Sequence, residues 1–270
     1  PLYSSAASDV YKRQEWIRIH HGHSFGLSYH TDRLYRSMRL LGIRPVTAPD
    51  EFTEIVEVVV EESEIEEGYV KIIVTRGSDD HNFTIPARSA LQPNVLVYGK
   101  PIDLNAIEKV QSGVNCITLD DDRGHHCDIL SLNQLNNMMA RAEAQKKNCY
   151  DAVFIKDGLL TEASHSNVCI VKAGVIWTPA TNEHMIRGVT RSLVLTRAAP
   201  SAGVTSIDEA SEPVRFEDMM TAEEVFLTNS QDGIIPVLSI DGNPIGGGKV
   251  GDVTKKIQEH YAHLMEDGLP

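Results

Sequence analysis

The stretch Ala152–Val171 reads AVFIKDGLLTEASHSNVCIV. Its apolar start, Ala152–Ile155, predicts a short buried strand, Lys156-Asp157-Gly158 a turn, and Val168–Val171 a further strand. Between these lies Thr161-Glu162-Ala163-Ser164-His165-Ser166-Asn167, a carboxylate followed by small hydroxyl and amide side chains. A glutamate set between apolar strands is either a surface residue of a polar turn or a buried group that needs a partner, and the pattern leaves both readings open.

Short strands continue downstream at Val175–Trp177, Val225–Thr228 and Pro236–Ile240, with Asp241-Gly242 as a hairpin turn. Helices are expected over Thr190–Ala198 and Val253–Met265. Upstream, Cys116–Leu119 reads as a strand, and the loop Asp120–Cys127 carries acids, Arg123 and the histidines His125 and His126. A helix follows, its apolar stripe given by Leu132, Leu135, Met138 or Met139, and Ala142. Earlier still, Trp16–Ile19 is a strand entering a turn at His21-Gly22-His23, and Thr31–Leu41 a helix with Leu34, Met38 and Leu41 on one face. A second helix begins near Asp50, repeats Phe52, Ile55, Val56 and Val59, and is expected to stop at Gly68. Strands Tyr69–Thr75 and Val95–Tyr98 complete this half.

The expected organisation is a small N-terminal α/β domain over 15–105 and a larger, strand-rich α/β domain over 106–270. Residues 1–14, PLYSSAASDVYKRQ, lack periodicity and the basic start and apolar centre of a signal peptide. They resemble translated adapter sequence and are read as a non-native segment, the natural protein beginning upstream of Glu15; a disordered native tail is the alternative.

A chain of 270 residues with 41% apolar and 23% charged residues has the composition of a globular protein with ample length for a core. No apolar run approaches the ~18 residues of a membrane helix. Asp plus Glu outnumber Lys plus Arg by 38 to 25, and the net charge of −13 argues against nucleic-acid and anionic-membrane partners. The four cysteines, Cys116, Cys127, Cys149 and Cys169, have no CxxC spacing, so no metal site or disulfide framework is expected and a reducing cytoplasm fits.

Arg187-Gly188-Val189-Thr190-Arg191 stands directly before a helix, where free backbone N–H groups favour a phosphate, although Gly and Thr also serve as plain caps. Arg33, in His30-Thr31-Asp32-Arg33-Leu34-Tyr35, is equally a phosphate ligand or a surface cation. Taken with Thr75-Arg76-Gly77, Cys127-Asp128-Ile129, Ser131-Leu132-Asn133, Arg141-Ala142-Glu143-Ala144, Thr161-Glu162, Ser166-Asn167 and Gly248-Lys249-Val250-Gly251, these stretches form an ordered set. On them the chain resembles the fold-type IV, class IV aminotransferases, and within that family the D-amino acid aminotransferase branch. The resemblance implies a pyridoxal 5′-phosphate site between a small and a large domain of a homodimer acting on a small amine or amino acid. It implies that Arg33, Val189, Thr190 and Ser230 hold the cofactor phosphate, that Glu162 pairs with the pyridine nitrogen, and that Ser166 and Asn167 belong to the cofactor site.

Two departures from the family pattern follow. The family's Schiff-base lysine belongs between Ile129 and Ser131, where this chain has Leu130. Leucine can neither hold the cofactor through an amine nor move a proton, so the cofactor is expected to bind noncovalently. His126, with His125 beside it, is the nearest alternative proton carrier in that segment. Past Thr75-Arg76-Gly77, the loop Ser78-Asp79-Asp80-His81-Asn82 keeps a histidine, His81, as a carboxylate contact, but has acids in place of the family's arginine. The family's active-site tyrosine would fall near Gln14. Lysine-independent chemistry is the leading expectation; a noncatalytic cofactor-binding protein and a site retooled to work without pyridoxal phosphate are the alternatives.

Overall fold

A computed structural model describes residues 12–77, 92–207 and 213–269 of the chain. The chain divides into two compact units. One comprises the described residues up to Ile102 together with Ile129–Gln134 and Leu269; the other comprises Asp103–Asp128 and Leu135–Gly268.

In the first unit, β1 (Lys12–His20) and β2 (His23–Ser24) form a hairpin, followed by α1 (Leu27–Leu40), α2 (Pro49–Glu62), β3 (Glu67–Thr75) and β4 (Asn94–Pro101). The sheet order is β2-β1-β3-β4, antiparallel throughout. Side chains alternate across a strand, so Ile17 and Ile19 of β1 and Val70, Ile72 and Val74 of β3 share the buried face. Leu34 and Met38 of α1, and Phe52, Val56 and Val60 of α2, close over them at helical spacing. β1 extends back to Lys12, so residues 12–14 of the stretch read as lacking strand pattern pair with Ile73–Thr75.

Helix α2 ends at Glu62, ahead of the expected stop, and Gly68 lies within β3. The glycine is needed there for a different reason: a Cβ would meet the Lys100 carbonyl oxygen of β4 at 2.5 Å. Helix α1 starts four residues earlier than its periodicity indicates, on a left-handed Gly26 that offers no side-chain cap.

The second unit opens with α3 (Leu104–Gln111), whose Asp103 cap accepts from the Asn105 N–H at 3.0 Å. There follow β5 (Val114–Asp120), α4 (Leu135–Lys146), β6 (Asp151–Lys156), β7 (Leu159–Ala163), β8 (Asn167–Lys172) and β9 (Val175–Trp177). A helical run then passes from α5 (Val189–Leu193) through a π-helical turn (Val194–Ala198) into α6 (Ala199–Ser201). β10 (Thr205–Ile207), α7 (Phe216–Met220), β11 (Glu224–Asn229), β12 (Gly233–Ile240), β13 (Asn243–Pro244) and α8 (Asp252–Asp267) complete it.

These strands form one mixed sheet of order β10-β9-β8-β11-β12-β5-β6-β7, with β13 on β12. The pairs β12–β5, β5–β6 and β9–β10 are parallel and the rest antiparallel. The expected stripe of α4 is reversed: Leu135, Met138 and Met139 are exposed, while Ala140 and Ala144 pack on Ile117, Ala152 and Phe154. Two small side chains let the helix lie close on β5 and β6, and closeness rather than bulk selects the buried face.

Candidate functional site

Strand β7 runs straight into the polar segment Ser164–Asn167. β7 pairs with β6 across the Asp157-Gly158 turn, both residues at positive φ (52° and 77°), and is buried on both faces from Leu160 to Ala163, so Glu162 lies in the interior at 3% exposure. The surface-turn reading of Glu162 is therefore excluded. Three groups hold its carboxylate: Arg123 Nη1 donates to Oε1 at 2.5 Å, the Ile186 N–H to Oε2 at 2.9 Å, and Asn167 Nδ2 to Oε2 at 3.3 Å.

Arg123 is shared. Its Nε and Nη2 donate to the two Asp121 oxygens at 2.9 and 2.8 Å, and Nη2 also donates to the His184 carbonyl at 3.0 Å. One guanidinium thus serves two buried carboxylates. Burial raises the Glu162 carboxyl, and the half-share of Arg123 does not cancel that effect, so it is pushed up to about 7. Asp121 is also penalised by burial, but the bidentate Arg123 pair and the Thr161 hydroxyl, donating at 2.9 Å, hold it below the usual range. The shared cation leaves two acids of one network far apart in proton affinity.

Asn167 also donates to the Ile186 carbonyl at 2.8 Å, fixing the chain just before Gly188. A Cβ at Gly188 would lie 2.1 Å from Asn167 Oδ1, so only glycine fits beneath α5. Thr190 is buried and its Oγ1 lies 3.4 Å from the Tyr261 hydroxyl. Val189 starts the helical run, whose first N–H groups have no partner within the helix by its geometry. Arg191 turns inward and is fully buried, donating to Thr178 Oγ1 at 3.1 Å and the Pro179 carbonyl at 2.9 Å. Ser230 is half-buried directly after β11. Ser166 faces a polar network, donating to Asp151 at 3.3 Å and accepting from Asn229 at 3.1 Å.

In the other unit, Arg33 meets Glu15. Arg33 Nε and Nη2 donate to its two oxygens at 3.0 and 2.5 Å, and His30 Nδ1 lies 2.9 Å from Oε2. Burial alone would raise the Glu15 carboxyl, but Arg33 and His30 together outweigh it and hold it at about 2. The same burial lowers His30 despite the carboxylate beside it. Leu130 is half-buried, its carbonyl accepting from the Gln14 N–H at 3.2 Å, and Gln14 Nε2 donates to the Ser131 carbonyl at 3.4 Å. His126 is exposed with a left-handed backbone, φ 69°. His81 lies outside the described residues.

The structure thus brings Glu162, Asn167 and Gly188 together and adds Arg123 and Asp121 to them, while Glu15 joins Arg33 in the other unit; the sequence reading missed the roles of all three added residues. Glu15 carried a legible signal: it shares the strand face of Ile17 and Ile19, where a carboxylate must find a cation, and Arg33 sits three residues after His30 on the facing helix. Arg123 carried no comparable signal.

Residues 14–240 match the family model for amino-transferase class IV. The chain is 31% identical over 252 residues to the D-alanine aminotransferase of Staphylococcus aureus (strain N315), covering 93% of this chain and 87% of that protein. It is 36% identical over 244 residues to the D-alanine aminotransferase of Bacillus licheniformis, covering 90% and 84%. In fold it is similar to the branched-chain amino acid aminotransferase of Thermobaculum terrenum in its PLP form, with a TM-score of 0.84 at 20% identity, covering 99% of this chain and 89% of that one.

Proposed function

Because the chain belongs to the class IV aminotransferases, we propose that it is a D-amino acid aminotransferase-like protein that binds pyridoxal 5′-phosphate noncovalently and acts on an amine or amino acid without a catalytic lysine. The observation that carries this reading is Glu162: a fully enclosed carboxyl, held at three points, with a proton affinity near neutrality. Such a group suits a pyridine nitrogen better than it suits water. The cofactor, when bound, supplies an electron sink for bond changes at the substrate's α-carbon.

Each residue then has a task. Glu162 would hold a proton at the ring nitrogen, while Arg123 and the Ile186 N–H fix its two oxygens. Asn167 braces Glu162 and the Ile186 carbonyl at once, and Gly188 leaves room where any side chain would collide. The family resemblance assigns the phosphate to Arg33, the backbone at Val189 and the hydroxyls of Thr190 and Ser230, which would hold it; Glu15 and His30 orient Arg33. Ser166 completes the support of the strand end through Asp151 and Asn229. His81 is the residue this reading assigns to the substrate carboxylate, and His126, with His125 beside it, is its candidate proton carrier in the segment leading to Leu130.

Leu130 offers no amine, and loss of general acid–base help costs roughly 10²–10⁴ in rate, about 3–5 kcal/mol of barrier. Slow turnover is the consequence. The residues 15–105 form the small domain and 106–270 the cofactor-binding domain of this reading, working as a homodimer. Among the described residues no disulfide joins the cysteines, and no described helix is long and apolar enough to cross a membrane; a reducing cytoplasm is the compartment of this reading. A second reading, a noncatalytic cofactor-binding protein, is favoured by Leu130 itself.

The test is the absorbance of protein loaded with pyridoxal phosphate, freed of excess, and then given D-alanine. A retained aldehyde band that shifts with D-alanine is the expected result. A retained band that does not move selects the noncatalytic reading, and no retained cofactor overturns both.

A further inference from the structure

We propose that His125, Glu183 and His184 form a binding site for a divalent transition-metal ion of the zinc class. One ligand atom from each lies within 4.8 Å of the other two. The centre of an equilateral triangle of that side is about 2.8 Å from each corner, and zinc takes imidazole nitrogen and carboxylate oxygen at about 2.0–2.2 Å. Modest side-chain rotation closes that gap. Glu183 Oε1 and His184 Nε2 are already 3.8 Å apart, and the rings of His125 and His184 are 5.7 Å apart, centroid to centroid.

The donor set has chemical meaning. Two imidazoles with one carboxylate suit zinc, nickel or copper better than calcium or magnesium, which take all-oxygen shells. Three protein ligands leave a further position for water or an outside ligand, and the exposed His125 and Glu183 give it access to solvent. No cysteine takes part, which is why CxxC spacing gives no sign of it.

The two segments that carry the ligands are already joined by one backbone bond and one side-chain bond, and the second segment is braced by a turn of its own. The Cys127 N–H donates to the Glu183 carbonyl at 2.8 Å, Arg123 Nη2 to the His184 carbonyl at 3.0 Å, and the His184 N–H to Asn182 Oδ1 at 2.8 Å. This frame fixes the ligand backbones and lowers the ordering cost of taking up an ion. The same segments grip Glu162, through Arg123 on one side and the Ile186 N–H on the other. A bound ion would tie their exposed ends together and stiffen that grip. The site needs no pyridoxal phosphate, so its test is separate from that of the cofactor reading.

The experiment is a zinc titration of the tag-free, chelator-stripped protein against a chromogenic chelator, with Co²⁺ absorbance as the second readout. His125→Ala and Glu183→Gln alter exposed side chains, and unchanged unfolding temperatures of the metal-free variants verify their folds. The control is His260→Ala/His263→Ala, which removes the imidazole pair on α8, with rings 6.3 Å apart. The expected result is that both test variants bind one equivalent of zinc fewer than the parent and lose the cobalt ligand-field band, while the control keeps this equivalent. Zinc also raises the unfolding temperature of the parent by more than that of His125→Ala. The proposal is overturned if the parent binds no zinc, or if His125→Ala retains its full stoichiometry and affinity.

Discussion

Replacing Glu162 by Gln removes one titrating group while keeping its shape. In the folded chain its carboxyl is pushed from the ordinary 4.5 up to about 7, burial being the main cause. The folded state therefore binds this proton more tightly than the unfolded state, and the associated stability is fully present below pH 4.5 and lost as pH rises towards 7. Each tenfold change in proton affinity corresponds to about 1.4 kcal/mol, so Glu162 should lower stability by about 3 kcal/mol across that window. At a urea slope of about 2 kcal/mol/M, the parent's midpoint falls by about 1.5 M relative to Glu162→Gln between pH 4.5 and 7. Trp177 of β9 lies in the same unit as Glu162 and Trp16 of β1 in the other, so both proteins are studied with Trp16→Phe to isolate the relevant fluorescence. Titrating groups common to both proteins cancel in the difference. Parallel stability curves from pH 4.5 to 7 would refute the argument that burial outweighs Arg123, and with it the poise of Glu162 at neutral pH.

Glu15 gives the opposite limb: held at about 2, it contributes stability above pH 4.5 that is lost as pH falls towards 2. Glu15→Gln should therefore lack about 3 kcal/mol of the parent's acid sensitivity in Trp16 fluorescence, and an unchanged acid limb would show that the Arg33 pair does not set it. Gly188→Ala drives a methyl group to 2.1 Å from Asn167 Oδ1; a loss of about 1–3 kcal/mol is expected by thermal unfolding, with weaker retention of pyridoxal phosphate. Leu130→Lys restores an amine at the family's lysine position. Borohydride should then fix pyridoxal phosphate at residue 130, and D-alanine transamination should rise by roughly 10²–10⁴; equal activity in parent and variant would show that the missing amine is not the limit.

Local pattern in the sequence was enough to find elements whose residues answer to their own neighbours. Val175–Trp177 is a strand with the bounds its apolar run indicates, and Asp157-Gly158 turns between strands because its residue types tolerate positive φ. The family could be recognised for a related reason, since its motifs are short, ordered residue types that survive without knowledge of contacts.

What escaped depended on distant partners. Gly68 looks like a helix stop, yet its place is decided by the Lys100 carbonyl in the neighbouring strand. Leu135, Met138 and Met139 look like a core stripe, yet Ala140 and Ala144 make the contact, on Ile117, Ala152 and Phe154 of the strands beneath. Glu162 could be read equally as buried or exposed, because its cation, Arg123, stands 39 residues away in an acidic loop. Desolvation and through-space charge set the proton affinity of Glu162 and Glu15, in opposite directions, and neither follows from the residues beside them in the chain. The sequence determined which chemical groups this protein possesses; the tertiary structure decided which of them lose water and which share one guanidinium.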